Sequence, residues 1–225
     1  MEPQIVIKQG MSIGYRSGWR NWSTPDLELA DASKEVKLGA GRHLLLARNG
    51  RGKTTLLKTL AGLIPAYSGG FSIAGQVQFI DEELRFDPFL KPGHIFGAVF
   101  KGESRERARA MAERLELDVQ KPYGKLSKGN RQKVTLILAE VHASAGGAQV
   151  LLLDEPFSGL DFHIRDEVDA IWRENHSGVL RLVCVHPDEP TLRAESALII
   201  SGEEMTLLEV EGGELDWLET RENLS

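Results

Sequence analysis

The run Leu44-Leu45-Leu46 leads within three residues into Asn49-Gly50-Arg51-Gly52-Lys53-Thr54-Thr55, and this junction most constrains the fold. His43 to Ala47 reads as a buried strand. Lys53 to Ala61 has helical composition, and Gly62 is a stop signal. The glycine-rich link between them suits a loop whose backbone N–H groups converge on an anion. A Cβ there would block the close approach or forbid the dihedral angles. Lysine adds a flexible point charge for the outer phosphates of a nucleotide, and the hydroxyl after it suits Mg²⁺. Gly50, Gly52, Lys53 and Thr54 meet these needs, and the helix that follows offers its positive N-terminus. The usual pattern has glycine six residues before the lysine, where this chain has Ala47. That is tolerable if Ala47 ends the strand with a negative φ. The competing reading is a glycine-rich turn that merely caps a helix, and it weakens as further motifs appear in order.

A second apolar run, Val150-Leu151-Leu152-Leu153, ends in Asp154-Glu155-Pro156. Acids at the carboxyl end of a buried strand lie where α/β proteins bind ligands. Asp154 is suited to hold Mg²⁺, directly or through water, and Glu155 to orient and polarise an attacking water. Phosphoryl transfer needs mainly positioning and charge neutralisation, which a carboxylate, a metal ion and a lysine supply. The plainer alternative is a strand that ends in a helix-capping acid.

Along the rest of the chain, residues 4–8 and 11–15 read as short strands. Arg16 to Asp26 is a polar, turn-rich loop. Val36-Lys37-Leu38 meets a turn at Gly39-Ala40-Gly41, and residues 70–80 hold two strand-like runs. In Gln76-Val77-Gln78-Phe79 the glutamines face away from the apolar residues. Residues 84–102 look irregular. Ala108, Met111, Ala112 and Leu115 then fall at helical spacing, and a second helix is expected from about Gly129 to Val141. Ile164, Val168, Ile171 and Trp172 form another helical stripe. Val179–Val185 and Leu198–Ile200 read as strands, and residues 205–225 as a closing hairpin and acidic tail. This order predicts a parallel α/β core with a mostly helical insertion over residues 84–142.

Composition narrows the partners. The 225 residues suit one large domain. A net charge of −6 argues against a nucleic-acid partner. Cys184, the single cysteine, lies in an apolar run, so a buried reduced thiol is expected and no disulfide framework. No apolar stretch reaches the roughly 20 residues that cross a bilayer. The first ten residues lack a signal-peptide pattern. If the protein works at a membrane, another chain is expected to supply the spanning helices.

Between these two motifs stands Leu126-Ser127-Lys128-Gly129-Asn130, and after them Ser158-Gly159-Leu160-Asp161 and His186. With all five in this order, the chain resembles the ATP-binding cassette (ABC) ATPases over roughly residues 4 to 210. The resemblance implies a P-loop NTPase core with a mostly parallel sheet, an N-terminal antiparallel β-subdomain and an inserted helical subdomain, all in one domain over 1–225. ATP and Mg²⁺ are the implied ligands. Asn49 to Thr55 would hold the phosphates, and Thr54, Asp154 and Glu82 would face the metal. Lys53, Glu155 and His186 would act in hydrolysis, with His186 as the switch residue on the γ-phosphate.

Two such cassettes pair head to tail, so Ser127, Lys128, Gly129 and Asn130 would face the partner's nucleotide and Asp161 would lie at the subunit contact. Lys128 and Asn130 depart from the commonest signature and resemble exporter-type variants. The family places a glutamine after the strand that ends near Phe79-Ile80. Here Asp81-Glu82-Glu83 follow, so Glu82 is expected in its place, with Gln78 as the rival. An aromatic upstream of the phosphate loop stacks on adenine in the family. Tyr15 fits best, ahead of Trp19 and Trp22.

The resemblance implies the ATP-hydrolysing subunit of a membrane exporter, a homodimer or a heterodimer with a paralogous cassette. It would sit under separately encoded membrane-spanning subunits, cytoplasmic and peripheral at the inner face of the cell membrane. Apolar residues between 84 and 102 would either receive a membrane subunit or pack a small core of the insertion. A soluble cassette of DNA repair or translation fits less well, because the chain has neither a long coiled coil nor a second cassette. A regulatory cassette with weak hydrolysis stays open, given Ala47 and the acidic 81–83 segment.

Overall fold

The structure is a computed structural model that describes residues 2–16, 26–81, 83–147, 149–175, 178–185 and 194–209. The chain runs β1 (Gln4–Ile7), β2 (Ser12–Tyr15), β3 (Leu27–Ala32), β4 (Val36–Leu38), β5 (Gly41–Ala47), α1 (Lys53–Leu60), β6 (Phe71–Ala74) and β7 (Val77–Ile80). Then come α2 (Pro92–Val99), α3 (Gly102–Arg114) and α4 (Lys128–Ser144). The last part is β8 (Val150–Asp154), α5 (Phe162–Glu174), β9 (Leu180–Cys184), β10 (Ser196–Ser201) and β11 (Glu204–Glu209).

An eight-stranded sheet has the order β2-β3-β11-β10-β5-β9-β8-β7, and its central pairs from β10 to β7 are parallel. A three-stranded antiparallel sheet, β4-β1-β6, stands beside it. This is the expected α/β class.

The central strands are apolar on both faces because both faces are covered. On β8, Leu151 and Leu153 join the core under α3, α4 and α5, while Val150 and Leu152 join the core under α1 and the small sheet. β5 divides in the same way, with Leu44 and Leu46 on one side and Leu45 and Ala47 on the other. In β9, Val183 faces the helical side, and the alternation puts Arg181 on that side too.

A buried guanidinium needs a buried acid. Glu140 of α4 meets Arg181 through two hydrogen bonds, 3.0 and 2.7 Å long, with both side chains only 2% exposed. The pair ties the inserted helices to the core sheet. Arg181→Leu is expected to cost about 3–5 kcal/mol, since it strands the Glu140 charge. Urea unfolding measures that loss.

Residues 84–102, expected to be irregular, contain α2 and the start of α3. Pro92 opens α2, where its missing N–H costs nothing. Gly93 lies where a Cβ would come 3.3 Å from the Val119 carbonyl, so this glycine serves close packing and does not break the helix. The segment's apolar residues divide. Ile95, Phe96 and Phe100 are buried in the helical core, whereas Phe89 is 87% exposed and Val99 and Leu90 are largely open. α4 is longer than expected at both ends, Lys128–Ser144, and β10 and β11 form an antiparallel hairpin over 196–209; of the 205–225 segment expected to hold a closing hairpin and tail, residues 210–225 lie outside the described residues. Among the described residues no helix is long and apolar enough to cross a membrane.

Candidate functional site

β5 delivers the glycine loop to the carboxyl edge of the sheet. Ala47 is the last residue of β5 and does not have a positive φ, the condition set by its departure from glycine. Gly50 and Gly52 have φ of 78° and 97°, where a side chain is strained. A Cβ on Gly52 would also lie 2.8 Å from Ile13 Cδ1, so this position is closed to larger residues twice over. Gly52 caps α1 without a side-chain hydrogen bond, which leaves the first N–H groups of the helix to a ligand. Lys53, buried, donates to the Ala47 carbonyl at 3.0 Å and bridges the base of the loop. Arg51 and Asn49 are exposed at its tip.

Thr54 Oγ1 donates to Asp154 Oδ2 at 2.8 Å, joining residues one hundred positions apart. Asp154 ends β8 and is buried. A hydroxyl and a carboxylate at the mouth of the loop make an oxygen donor set that suits Mg²⁺, which is held by one or two protein oxygens plus substrate phosphates. Among the described residues no cluster of three or more His, Cys, Asp or Glu forms a metal cage.

Glu155, one residue on, is half-buried and has φ of 46°, the left-handed region that a glutamate seldom takes. Its N–H donates to the Cys184 carbonyl and its carbonyl accepts from the Ser158 N–H, both at 3.1 Å. These bonds bring the Glu155 backbone up against the end of β9. Cys184 pairs with Asp154 in register. Burial, and after it the Asp154 carboxylate, push its thiol well above the usual range, so it stays protonated and inert.

Ser127 caps α4, its Oγ accepting from the Asn130 N–H at 3.2 Å. Gly129 is buried against the turn after Glu155: a Cβ there would sit 2.2 Å from the Gly159 carbonyl oxygen. Lys128 packs its stem along Gly159. The Ser127–Asn130 segment and Glu155 are therefore the two ends of one short mechanical path. Gly129→Ala is expected to push these segments apart, at a cost of about 1–3 kcal/mol. A thermal melt measures the loss in stability.

Asp161 Oδ1 accepts from the Ile164 N–H at 3.0 Å and so caps α5. Tyr15, 48% exposed, places its hydroxyl 2.8 Å from Thr55 Oγ1 and leans over the first turn of α1. Gln78 sits within β7, its Oε1 3.2 Å from His142 Nδ1. Asp81 pairs with Lys58 of α1 at 3.4 Å and accepts from the Glu83 N–H. Glu82, His186, Trp19 and Trp22 lie outside the described residues, as does the tail beyond 209.

The sequence profile of the ABC transporter family matches residues 31–158, a span that holds the loop, the signature and the acidic strand. The chain belongs to the ABC transporter family. It is 34% identical over 164 residues to the aliphatic sulfonates import ATP-binding protein SsuB 1 of Pseudomonas fluorescens, covering 70% of this chain and 61% of that one. It is 33% identical over 180 residues to the cytochrome c biogenesis ATP-binding export protein CcmA of Zymomonas mobilis, covering 76% and 79%. The chain thus spans less than two thirds of the length of several curated relatives. A solved structure of an ATP-binding subunit of an ABC transporter superposes with a TM-score of 0.74 at 18% identity, over 99% of this chain and 98% of the other. That likeness shows the fold. An import and an export protein are similar to this ABC family member to the same degree, so the relatives leave the direction of transport open.

Proposed function

We propose that this chain is the ATP-binding and ATP-hydrolysing subunit of a membrane transporter, and that it works by closing on a second cassette. The observation that carries the reading is the Thr54–Asp154 hydrogen bond, which sets the glycine loop, Lys53 and the acidic strand around one point. Lys53 and the N–H groups of residues 49–55 hold the phosphates. Thr54 and Asp154 hold Mg²⁺, which supplies charge neutralisation when bound, and Glu82 is the further metal-facing acid that the resemblance implies. Glu155 orients the attacking water, and His186 contacts the terminal phosphate. Ser127, Lys128, Gly129 and Asn130 close on the nucleotide of the partner cassette, which Asp161 also approaches, and Tyr15 stacks on adenine.

The exposed Phe89, Leu90 and Val99 support docking to a separately encoded membrane subunit at the inner face of the cell membrane. The signature variant Ser127-Lys128-Gly129-Asn130 supports the export direction. Phosphate release from ATP by the purified chain with Mg²⁺ tests the reading. Turnover that Asp154→Ala abolishes is expected. A folded protein that binds ATP and never turns it over would favour a regulatory cassette. Glu82→Gln is expected to keep or raise the rate in the same assay, and complete loss would show that the acid has a task of its own.

A further inference from the structure

At the edge of the sheet opposite the glycine loop, a cleft of about 80 Å³ opens between the first residues of β5 and β9 and the last turn of α5. Arg42, Trp172, Arg173, Arg181 and Glu195 line it. Ala47, at the base of the loop, lies five residues along β5 from Arg42, roughly 16 Å of strand, so this cleft is not the nucleotide site. Two buried donors in its wall, Arg42 Nε and Trp172 Nε1, have no hydrogen-bond partner among the described residues. Trp172 is 2% exposed, and two guanidinium groups pack on its ring, with the Cζ atoms of Arg42 and Arg181 at 6.0 and 5.8 Å from the ring centre. Buried donors without acceptors are rare in folded proteins and point to an acceptor that arrives from outside.

The charges decide what that acceptor is. Glu140 gives both carboxylate oxygens to Arg181. Asp169 is divided between two arginines, its Oδ1 accepting from Arg42 Nη1 and its Oδ2 lying 3.2 Å from Arg173 Nε. Three arginines thus surround two acids whose every oxygen is already taken. Glu195 and Arg173 are exposed, so water screens both of them at the mouth. The Glu195 carboxylate is also turned onto the Gly41 backbone, where it leaves no room for a Cβ. Inside, the Arg42 side chain is only 11% exposed and shares its one acid, and an anion beside it relieves the cost of keeping that charge from water. The size agrees. At roughly 30 Å³ per water, the cleft holds about two or three waters or one small oxyanion. A nucleotide or drug-sized ligand needs roughly 300 Å³ or more.

We infer that this cleft is a second anion site, which holds one small oxyanion such as sulfate or inorganic phosphate between the Arg42 Nε–H and Trp172 Nε1–H groups. The inference is independent of the transporter reading above, because neither residue belongs to the nucleotide site. Arg42 stands on β5, Trp172 on α5 and Arg181 on β9. An anion bound among them joins these three elements beside the Arg181–Glu140 pair, which ties the inserted helices to the sheet.

The test uses the full chain with sulfate as the probe, and Lys53→Ala as a background in which the glycine loop holds anions poorly. Titration calorimetry of sulfate into that variant is expected to show one saturable site. Adding Trp172→Phe keeps an aromatic ring and removes the N–H, and adding Arg42→Lys keeps the charge and removes Nε. Each should weaken sulfate about tenfold or more, the scale for losing a hydrogen bond to a charged group. Circular dichroism checks that each variant is folded. Selenate soaked into crystals of the parent chain, grown without sulfate or phosphate, should give an anomalous selenium peak beside Arg42 and Trp172, and this arm decides alone if a variant fails to fold. The inference is overturned by the absence of a saturable site in Lys53→Ala, by unchanged affinity in both added variants, or by selenate at the glycine loop and nowhere near Trp172. None of these results bears on the transporter reading, which stands or falls on ATP turnover.

Discussion

Glu155→Gln is expected to bind ATP as tightly as the parent, to lose hydrolysis by about 10²–10⁴-fold, and to accumulate as a nucleotide-bound dimer. The size of the loss follows from removing a group that orients and polarises water in the transition state while leaving the phosphate contacts of Lys53 and the loop in place. Amide and carboxylate have the same shape, so the substitution should not disturb the backbone. This matters here because Glu155 sits at φ 46° and is tied to Cys184 and Ser158 by its main chain. Glu155→Gly would remove the strain of the positive φ along with the carboxylate, mixing a backbone effect with a catalytic one. Light scattering with and without ATP measures the dimer, and phosphate release measures the rate. A variant that stays monomeric at saturating ATP would count against the two-cassette arrangement, whatever happens to the rate.

The parts of this fold that were readable in advance are those written in strong local chemistry. Leu44–Leu46 and Val150–Leu153 are apolar without interruption, because helices and the small sheet cover both of their faces, and they flank β9 on either side in the central sheet. The stripe Ile164, Val168, Ile171 and Trp172 is the buried face of α5, and Ala108, Met111 and Ala112 that of α3. The glycine loop was legible because positive φ selects glycine at 50 and 52, and the oxygen pair Thr54 and Asp154, far apart in the chain, was placed in one site by residue type.

What escaped was chemistry that depends on the neighbour across a gap. Pro92, Gly93 and Gly97 look like helix breakers, yet the proline occupies the first turn and Gly93 makes room for the Val119 backbone, so α2 forms. The left-handed backbone of Glu155 leaves no mark in a sequence where the residue is neither glycine nor asparagine. The pairing of Arg181 with Glu140 joins a strand to a helix 41 residues away, and only alternation along β9, once its partners are known, says that Arg181 must point inward.

Lys53→Ala is expected to abolish measurable ATP binding in titration calorimetry and to reduce hydrolysis at least about a hundredfold, the scale for losing one preorganised charge on the phosphates. The argument starts from burial. Lys53 is 7% exposed and its ammonium sits 3.0 Å from the Ala47 carbonyl at the base of the loop. A charge kept out of water costs free energy, and a polyphosphate beside it relieves that cost. Alanine removes both the cost and the relief. The folded chain should therefore keep its thermal midpoint, or gain slightly, while losing the ligand. That pairing separates a binding defect from general damage: a lower midpoint with residual binding would mean that Lys53 braces the loop, whereas unchanged heats of binding would show that the phosphates rest elsewhere.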